Sequence, residues 1–482
     1  LPTALHDPAD RRRIVGHVVE AAPEDADRAL SVAVAAQRAW AARPVAERAA
    51  CLDRLGDLLE GERNELVALL VREAGKTIPD ALAEVREAVD FCRYYAARAR
   101  EDFEPKLMPG PTGERNELRL TGRGVFVCIS PWNFPLAIFL GQVAAALVAG
   151  NAVIAKPAEQ TPLIAAHATA LAHRAGVPAE VLHLLPGDGA SVGGRLVADR
   201  RVAGVAFTGS TETAQRIGLT LMQRGGPMVP FIAETGGQNA MIVDNSALPE
   251  QVVDDVVTSA FRSTGQRCSA LRVLFLQDGI ADRVLRMLKG AAQELVVGDP
   301  GRLATDVGPA IDAEAVATLE AHARRMAGEG HPLFQGVVGG DCAHGSFFAP
   351  CAFEIDTIGR LEREVFGPVL HVVRYRHDRL DAVIDAIAAT GYGLTLGIHS
   401  RIERTARLIH ERLPVGNTYI NRNMIGAVVG VQPFGGEGLS GTGPKAGGPH
   451  YLYRFGVERT LTINTTAAGG NALLVSMADE GV

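Results

Sequence analysis

Three residues, far apart in the sequence, could together attack and hydrolyse a carbonyl derivative: Cys268, Glu234 and Asn133. A cysteine becomes a nucleophile where its surroundings favour the thiolate, and Arg267 is a neighbour able to do so. Glu234 precedes the glycine pair of "ETGGQ", where burial could raise its pKa for general-base catalysis. Asn133, between the prolines of "PWNFP", could donate to an oxyanion, an interaction worth about 3 kcal/mol. The alternatives are structural, because a lone cysteine is usually buried core and an asparagine can bond its own turn.

Further polar or glycine-rich segments follow predicted strands, where an open α/β sheet presents groups to a ligand. "KPAE" carries Lys156 and Glu159, which suit the ribose hydroxyls of a nucleotide, although a solvated Lys–Glu pair is the alternative. "PGDG" (residues 186–189) and "FTGST" (207–211) offer backbone N–H groups and hydroxyls for a phosphate. Because the glycines of these segments lack the GxGxxG spacing, an ordinary Rossmann fingerprint is absent.

Composition and charge exclude several classes of function. The 482 residues include 48 Lys plus Arg and 55 Asp plus Glu, a net charge of −7 that argues against nucleic-acid binding. The most apolar run, residues 135–150, is shorter than the ~20 residues of a membrane span and contains Gln142, so it predicts a buried helix. The six cysteines form no CxxC pair and the histidines no HExxH motif, so we expect a cytoplasmic protein without a metal.

Alternating short apolar runs and helical stretches predict an α/β fold with a parallel, doubly wound sheet. In the first hundred residues, leucines at helical spacing predict helices. Two sets of predicted strands follow, divided near residue 238: residues 125–129, 152–155, 181–185 and 202–207, then residues 241–243, 273–276 and 418–420. Residues 117–120 and 460–464 alternate strictly, so we expect them to pair in an arm that could add to a partner's sheet.

The ordered motifs PWNFP, KPAE, FTGST, ETGGQ, GQRCSA, EVFGP and PFGG resemble those of the NAD(P)-dependent aldehyde dehydrogenase superfamily. The resemblance covers essentially the whole chain. It implies a Rossmann-like NAD-binding domain (residues 1–105 and 121–237) and an α/β catalytic domain (238–432). It also implies an anchor loop that returns to the first domain (433–456), and a β oligomerisation flap with a tail (106–120 and 457–482) that builds homodimers.

The same resemblance implies roles for individual residues. Cys268 would be the nucleophile, Asn133 and the Cys268 backbone N–H would hold the oxyanion, and Glu234 would be the base for deacylation. The residues that would contact NAD are Ser130, Trp132, Lys156, Glu159, Gly187, Thr208, Gly209, Ser210, Glu364 and Phe366. Glu159 favours NAD over NADP because its carboxylate would repel a 2′-phosphate.

Within the superfamily, the sequence is more closely similar to the L-glutamate γ-semialdehyde (Δ1-pyrroline-5-carboxylate) dehydrogenases, above all the dehydrogenase domain of bacterial bifunctional proline utilization A proteins. Cys268-Ser269 and residues 420–451, "INRNMIGAVVGVQPFGGEGLSGTGPKAGGPHY", carry this similarity. The implied substrate-binding residues are Ser269, Gly447 and Gly448 for the α-carboxylate, Phe134 and Phe455 for the aliphatic chain, and Glu87 for the α-ammonium. Glu84, one turn from Glu87, is the alternative partner of the ammonium.

The expected activity is NAD-dependent oxidation of glutamate semialdehyde to glutamate through a thiohemiacetal and a thioester on Cys268, the second step of proline catabolism. Proline utilization A proteins also carry a flavin-dependent proline dehydrogenase domain. Because the chain opens on Leu1 rather than Met, we expect an excised piece with that domain upstream, or a processed monofunctional enzyme. The alternatives are oxidation of another short aldehyde such as succinic semialdehyde, transfer to CoA, against which Glu234 argues, and a non-catalytic structural relative.

Overall fold

The computed structural model describes residues 2–468, which form nineteen β-strands and thirteen α-helices. The strands are β1 (Thr3–Asp7), β2 (Asp10–Val18), β3 (Lys106–Met108), β4 (Glu114–Gly122), β5 (Val125–Ile129), β6 (Ala152–Lys156), β7 (Leu182–Leu184), β8 (Val202–Thr208), β9 (Phe231–Glu234), β10 (Ala240–Val243), β11 (Val273–Gln277), β12 (His331–Gln335), β13 (Cys351–Glu354), β14 (Val369–Tyr375), β15 (Tyr392–Gly393), β16 (Thr395–His399), β17 (Asn417–Ile420), β18 (Glu437–Gly438) and β19 (Gly456–Asn464). The helices are α1 (Pro23–Ala42), α2 (Val45–Gly61), α3 (Arg63–Ala74), α4 (Ile78–Asp102), α5 (Ala137–Val148), α6 (Pro162–Arg174), α7 (Gly194–Ala198), α8 (Thr211–Gln223), α9 (Pro249–Phe261), α10 (Asp278–Gln293), α11 (Ala313–Glu329), α12 (Leu380–Ala388) and α13 (Glu403–Arg412).

The first half of the chain builds a five-stranded parallel sheet in the order β7-β6-β5-β8-β9. Its strands are continuous apolar runs because helices cover both faces of the sheet. The four strands predicted in this region are confirmed, and the short edge strand β9 is an addition. The apolar run after β5 forms the buried helix α5, as predicted. The segments that follow β5, β6, β8 and β9 therefore meet at one edge of the sheet.

The second half builds a seven-stranded sheet in the order β12-β13-β14-β11-β10-β16-β17. All neighbouring pairs are parallel except β12 and β13, which are antiparallel. The predicted strands β10, β11 and β17 are confirmed, whereas the prediction missed β12, β13, β14 and β16. Polar residues inside these strands, such as the fully buried His371 of β14, interrupt the apolar run that marks a central strand.

The beginning of the chain corrects the expectation that the first hundred residues are helical. β1 and β2 form an antiparallel hairpin before α1. β2 carries three consecutive arginines and is mostly exposed, so it lacks the apolar alternation that indicates a strand. The four helices that follow fit the prediction, and α4, the longest, packs against α2 and α5. One face of α4 carries Asp80, Glu84, Glu87, Phe91 and Tyr95 at spacings of three or four residues.

A three-stranded antiparallel sheet in the order β19-β4-β3 lies outside both α/β sheets. The predicted pairing of residues 117–120 with 460–464 is confirmed, with Leu118 opposite Thr460 and Asn116 opposite Thr462. Residues 469–482 of the predicted flap and tail lie outside the described residues. Within residues 2–468, no helix has both the length and the apolar character needed to cross a bilayer.

Candidate active site

A cavity of about 100 Å³ lies where the segments after β5, β8 and β9 face the loop that carries Cys268. It brings together site residues that the sequence predicted from five separate parts of the chain. Those that line it are Glu87, Phe134, Thr208, Glu234, Cys268 and Ser269. Residues outside the prediction complete the lining, and they are mostly apolar or glycine. The cavity thus combines a thiol, two carboxylates and a hydroxyl in largely apolar surroundings.

The Cys268 thiol is held in its protonated form. Burial raises its pKa to about 12, and the negative charges of Glu364, Glu234 and Glu87 act in the same direction. Arg267, which we expected to favour the thiolate, only partly opposes these effects. Its guanidinium Nη2 lies 3.1 Å from Asp80 Oδ1, so its charge is shared with that carboxylate. The expected direction of the Arg267 effect is therefore confirmed, but burial and three carboxylates outweigh one paired cation.

The Cys268 loop, residues 262–269, adopts an unusual backbone. Ser263, Thr264 and Gly265 have φ values of 56°, 59° and 62°, a left-handed conformation that costs non-glycine residues about 1–2 kcal/mol each. A Cβ at position 265 would come within 2.3 Å of the Gly367 carbonyl oxygen, so that position has room only for glycine. The loop reaches Cys268 in a conformation that its neighbours must stabilise.

Asp80 of α4 provides much of that stabilisation. Its carboxylate accepts hydrogen bonds from Arg262 Nε (2.6 Å), Ser263 Oγ (2.7 Å) and Arg267 Nη2 (3.1 Å). Burial opposes its ionisation, but the charges of Arg267, Arg262 and Lys76 lower its pKa to about 2. Asp80 therefore stays charged at all physiological pH values and holds the Cys268 loop against α4.

Arg272 holds the same loop from the other side. Its side chain is fully buried and donates to the carbonyl oxygens of Gly265 (2.7 Å) and Arg267 (2.9 Å). It also donates to Glu364 Oε1 at 3.1 Å, which connects the loop to the predicted cofactor residue Glu364. The sequence analysis missed both Asp80 and Arg272, since a single charged residue in a helix or strand carries no signal of its distant partners.

Asn133 lies beside the Cys268 loop but not in the lining of the main cavity. Its Nδ2 donates to the Gln266 carbonyl oxygen at 3.2 Å, two residues before Cys268. Asn133 and Trp132 line a smaller adjoining cavity of about 20 Å³. The alternative that Asn133 merely bonds its own turn does not hold, because this bond joins the first sheet to the Cys268 loop.

Glu234 ends β9, and three glycines of the loop at residues 433–448 lie against its carboxylate. Oε2 accepts from the Gly436 N–H at 3.1 Å. A Cβ at position 441 would come within 2.8 Å of Oε2, and one at position 435 within 3.0 Å of Oε1. Burial raises the pKa of Glu234 to about 8, despite the Gly436 hydrogen bond and the charge of Lys445. Such a pKa suits a carboxylate that takes up protons near neutral pH.

Gln142 and Thr208 adjoin Glu234 in the lining of the cavity. Thr208 is the register partner of Glu234 between β8 and β9, and Gln142 Nε2 donates to Thr208 Oγ1 at 2.9 Å. Within residues 2–468, neither Gln142 Oε1 nor Glu234 Oε1 has a hydrogen-bond partner, although both atoms are buried. A signal for Gln142 is present in the sequence, because it is the single strongly polar residue of the apolar run at residues 135–150.

The structure distinguishes the two candidate carboxylates of α4. Glu84 is fully buried, pairs with Lys76 Nζ at 2.7 Å and accepts from the Leu136 N–H at 2.8 Å, so it stabilises the start of α5. Glu87 lines the cavity instead. Burial and the charge of Glu84 raise the pKa of Glu87 to about 7, opposed by Arg267 and Lys76. Glu87 is thus the α4 carboxylate that is accessible to a ligand.

Phe134 and Ser269 occupy the lining near the Cys268 loop. The Phe134 ring has Lys76 Nζ at 4.0 Å and Arg267 Cζ at 5.1 Å from its centroid, two cation–π contacts that fix its position. Ser269 is largely buried, and its carbonyl oxygen accepts from Thr395 Oγ1 at 3.2 Å. Ser269 itself is one of the residues that line the cavity.

The glycines predicted to bind the carboxylate lie in the Gly447 loop, residues 433–448. Gly447 has φ = 66°, and its N–H donates to the Tyr95 hydroxyl at 2.9 Å. That N–H is therefore already bonded within the protein. Neither Gly447 nor Gly448 lines the cavity, although the adjacent Ala446 does. The loop lies next to the cavity but does not present the Gly447 N–H to it.

Phe455 lies outside the lining, contrary to the expected contact with the substrate chain. Its side chain is fully buried, with its centroid 4.9 Å from that of Phe126 and 5.2 Å from that of Tyr451. Tyr451, together with Phe91 and Phe434, lines the cavity instead. A resemblance between motifs indicates that an aromatic residue lies near the cavity, but it does not distinguish a residue of the lining from one packed behind the lining.

A second group of predicted residues lies after β6 and β7. Lys156 is almost fully buried, so the alternative of a solvated Lys–Glu pair does not hold. Its Nζ lies 3.7 Å from Glu159 Oε1, which accepts from the Gly189 N–H at 2.7 Å. Gly187, with φ = 155°, allows a close turn, because a Cβ there would come within 2.6 Å of Val192. This segment is a compact turn with two exposed carboxylates, those of Glu159 and Asp188.

The remaining predicted cofactor residues surround the end of β8 and the segment after β9. The Ser210 side chain caps α8 by accepting from the Thr213 N–H at 3.2 Å, and the Gly209 N–H donates to the Glu234 carbonyl oxygen at 3.1 Å. Trp132 meets Phe366 edge-on, with 5.5 Å between ring centroids. Ser130 Oγ is buried without a hydrogen-bond partner in the described chain.

Comparison with known proteins identifies the family. The sequence profile described as the aldehyde dehydrogenase family matches residues 3–460. The chain belongs to the aldehyde dehydrogenase family. The fold class and the family predicted from the ordered motifs are therefore confirmed.

Two relatives of this aldehyde dehydrogenase show where in the family it lies. It is 56% identical over 466 residues to the bifunctional protein PutA of Escherichia coli K12, which covers 94% of this chain and 34% of that protein. It is 37% identical over 465 residues to the 1-pyrroline-5-carboxylate dehydrogenase of Geobacillus thermodenitrificans, which covers 95% of this chain and 89% of that protein. The chain thus spans about a third of the length of the bifunctional relatives that it matches.

Solved structures agree with these relatives. A crystal structure of bifunctional proline utilization A superposes with a TM-score of 0.92 at 59% identity, covering 94% of this chain and 46% of that chain. The 1-pyrroline-5-carboxylate dehydrogenase from Thermus with bound NAD superposes with a TM-score of 0.92 at 35% identity, covering 96% of this chain and 90% of that chain. The aldehyde dehydrogenase fold therefore extends over nearly the whole chain.

Proposed function

We propose that this aldehyde dehydrogenase oxidises L-glutamate γ-semialdehyde, the open form of Δ1-pyrroline-5-carboxylate, to L-glutamate with NAD as the cofactor. The observation that carries this proposal is one cavity lined by Cys268, Glu234, Glu87 and Ser269. The first two groups suit aldehyde oxidation through a thioester, and the last two suit a substrate with an ammonium and a carboxylate. Relatives named 1-pyrroline-5-carboxylate dehydrogenase support the same substrate.

In the first chemical step, Cys268 Sγ attacks the aldehyde carbon and forms a thiohemiacetal. Because burial keeps the thiol protonated, a base must accept its proton as the S–C bond forms. Glu234 lines the same cavity, and with a pKa of about 8 its carboxylate is a suitable acceptor. The oxyanion would be stabilised by the Cys268 backbone N–H and by Asn133, whose Nδ2 keeps a second proton beyond its bond to Gln266.

The second half of the reaction releases the product. NAD⁺, when bound, supplies the hydride acceptor that converts the thiohemiacetal to a thioester. After Glu234 has released the Cys268 proton to solvent, it removes a proton from water as the water oxygen attacks the thioester carbonyl. The C–S bond breaks, glutamate leaves, and Glu234 returns its proton to the Cys268 sulfur. The unpartnered Glu234 Oε1 supports this role, because within the described residues it remains able to accept a hydrogen bond from water.

The residues that would hold NAD fit such a group. Glu159 Oε1 already accepts the Gly189 N–H, and its other carboxylate oxygen can accept from the hydroxyls of the adenosine ribose. Glu364 lies on the Gly236–Gly237 backbone, where a Cβ at position 236 would overlap it, so it could accept from the second ribose. The buried, unpartnered Ser130 Oγ is a further group that a ligand could satisfy.

The cavity also fits the charged groups and the chain of the proposed substrate, whose α-carbon bears both the ammonium and the carboxylate. Glu87, with a pKa of about 7, would pair with the α-ammonium, and this pairing favours its ionised form. Ser269, which lines the cavity, would donate its hydroxyl to the α-carboxylate, together with the backbone N–H of Gly448 in the Gly447 loop. Phe134 would pack against the aliphatic chain between the α-carbon and the aldehyde. Neutral or purely anionic aldehydes, such as succinic semialdehyde, would leave Glu87 without a partner.

The resemblance further leads us to propose a homodimer built through the β19-β4-β3 sheet, a cytoplasmic location and a functional link to proline dehydrogenase. Leu107, Met108, Leu461 and Ile463 of that sheet are exposed apolar residues, which a second copy could cover. The cysteines of residues 2–468 are all free, which suits a reducing compartment. Sedimentation of the purified chain tests the dimer, and a coupled assay with a proline dehydrogenase tests the link.

The test of the activity is NADH formation from NAD⁺ and Δ1-pyrroline-5-carboxylate, with glutamate measured as the product. We expect one glutamate per NADH, and no NADH from the Cys268→Ala variant although it still binds NAD⁺. A preference for succinic semialdehyde in kcat/KM would contradict the proposed substrate. Failure to oxidise any aldehyde by the folded wild-type chain would favour a non-catalytic relative.

A further inference from the structure

Tyr95 lies directly behind the lining of the cavity and connects three of its parts. The side chain is fully buried. Its ring stacks against Phe91 (centroids 5.6 Å apart, planes at 27°) and against Tyr451 (5.5 Å, 16°), and both of these residues line the cavity. Its hydroxyl accepts the Gly447 N–H at 2.9 Å. A single side chain of α4 therefore contacts the aromatic lining and the backbone of the Gly447 loop.

The hydrogen bond to Gly447 stabilises a backbone conformation that needs support. Gly447 has φ = 66°, and a Cβ at this position would lie 3.2 Å from the Val429 Cα and 3.5 Å from the Phe91 ring. The Gly447 carbonyl oxygen accepts the Gly430 N–H at 2.9 Å, so both backbone polar groups of the residue are hydrogen-bonded. A glycine loses much conformational freedom when it is fixed in this way, and each bond contributes to fixing it.

We propose that Tyr95 is a positioning residue that makes the enzyme selective for aldehydes bearing a carboxylate, by fixing the Gly447 loop for carboxylate binding. This inference rests on the proposed function. The Gly447 N–H is bonded to Tyr95, so it is not available to the substrate. The Ala446 N–H is bonded to the Phe434 carbonyl oxygen at 2.8 Å, which leaves the Gly448 N–H of this segment for a carboxylate. Ordering of the loop before binding lowers the entropic cost of that recognition.

Tyr95 lies on the same helix, α4, as the proposed partner of the substrate ammonium. Glu87 and Tyr95 are eight residues apart on the same face of the helix, about 12 Å along its axis. One rigid helix thus carries the partner proposed for the ammonium and the residue that holds the loop proposed for the carboxylate. Because the ammonium and the carboxylate are both borne by the α-carbon of the substrate, α4 rather than flexible loops would orient that carbon in the cavity.

The test is the Tyr95→Phe variant, which removes the hydroxyl but keeps the ring and its stacking. We expect KM for glutamate semialdehyde to rise about fivefold to tenfold, as for the loss of one buried hydrogen bond, with kcat nearly unchanged. The kcat/KM for propanal, which has no carboxylate, should stay within about twofold. Tyr94→Phe is the matched control, since Tyr94 is the half-buried neighbour whose ring meets Tyr95 edge-on, and it should behave as wild type.

Two outcomes would overturn the inference. One is an unchanged KM for glutamate semialdehyde in Tyr95→Phe. The other is an equal loss with both aldehydes, which would mean that the hydroxyl supports the fold in general rather than the selection of the substrate. Failure of the proposed function is distinguishable, because in that case the wild-type chain itself would not oxidise glutamate semialdehyde in preference to propanal.

Discussion

The Cys268 loop and the Gly447 loop lie next to the same cavity, and both depend on left-handed backbone, yet α4 holds them by different forces. Charges hold the Cys268 loop, since Asp80 binds Arg262, Ser263 and Arg267. α4 holds the Gly447 loop by a neutral hydrogen bond from the Gly447 N–H to the Tyr95 hydroxyl.

This difference in how α4 holds the two loops matches the role that we propose for each loop. A nucleophile must keep one position through every step, and a buried, multiply bonded carboxylate supplies a strong and rigid support. A substrate-binding loop has to admit and release a ligand, so weaker bonds and close-packed glycines suffice. Changes near Asp80 should therefore reduce turnover of every aldehyde, whereas changes near Gly447 should alter selectivity.

The largest effect should follow from Asp80→Ala. The change leaves Arg267 buried without its carboxylate and releases the strained backbone at Ser263 and Thr264, so Cys268 loses its position. We expect kcat to fall about 100-fold, equally for glutamate semialdehyde and propanal, because a displacement of about 1 Å has this cost. Asp80→Asn keeps an acceptor for Ser263 and should lose less. A loss of kcat confined to glutamate semialdehyde would contradict the proposal that the Cys268 loop serves every aldehyde.

The next effect in size should follow from Gly447→Ala. The new Cβ is strained at φ = 66° and lies 3.2 Å from the Val429 Cα, so the Gly447 loop must shift. We expect KM for glutamate semialdehyde to rise about 30-fold, from a cost of about 2 kcal/mol, with propanal oxidation little changed. Steady-state kinetics with both aldehydes measures this. An equal decline with both would mean that the two loops are not independent.

Glu87→Gln tests the same difference between the loops on α4, the helix that contacts both of them. The amide keeps the size of the side chain but cannot pair ionically with the α-ammonium, so we expect about a tenfold rise in KM for glutamate semialdehyde. KM for succinic semialdehyde should change little. The matched control is Glu84→Gln, which should lower the melting temperature instead, because Glu84 pairs with Lys76 and caps α5. Reversed results for the two variants would make Glu84 the ammonium partner.

The pH dependence should show the smallest effect. With a pKa of about 8, Glu234 is mostly protonated at pH 7, so kcat should rise about fivefold between pH 7 and pH 8 in the wild type. The folded state binds this proton more tightly than the unfolded state, so the associated stability is lost as pH rises from about 4.5 towards 8. Glu234→Gln should therefore melt at a higher temperature than the wild type above pH 8. A flat kcat profile over this range would argue against Glu234 as the base.

Much of this site was predictable because each part has a recognisable pattern in its own short stretch of sequence. Asn133 lies between two prolines after β5, Glu234 ends β9 before a glycine pair, and Cys268 follows α9 in a motif that contains Gly265. The apolar strands themselves are continuous in the sequence. What could not be predicted depends on distant partners. The sequence does not reveal that Asp80 pairs with Arg267 or that the Tyr95 hydroxyl already accepts the Gly447 N–H. Nor does it reveal that Phe455 packs behind Tyr451, outside the lining of the cavity. The size of the Arg267 effect on the thiol could not be predicted for the same reason, since Arg267 is paired with a carboxylate 187 residues earlier.

The most direct test of the proposed chemistry is a single turnover of the Glu234→Gln variant with NAD⁺ and Δ1-pyrroline-5-carboxylate, followed by mass spectrometry of the intact protein and its peptides. If Cys268 forms the thioester and Glu234 is the base of both steps, NADH should form more slowly than in the wild type and only once per active site, and a glutamyl group should remain on the peptide that contains Cys268. Undiminished steady turnover, or an adduct on any other residue, would contradict this mechanism.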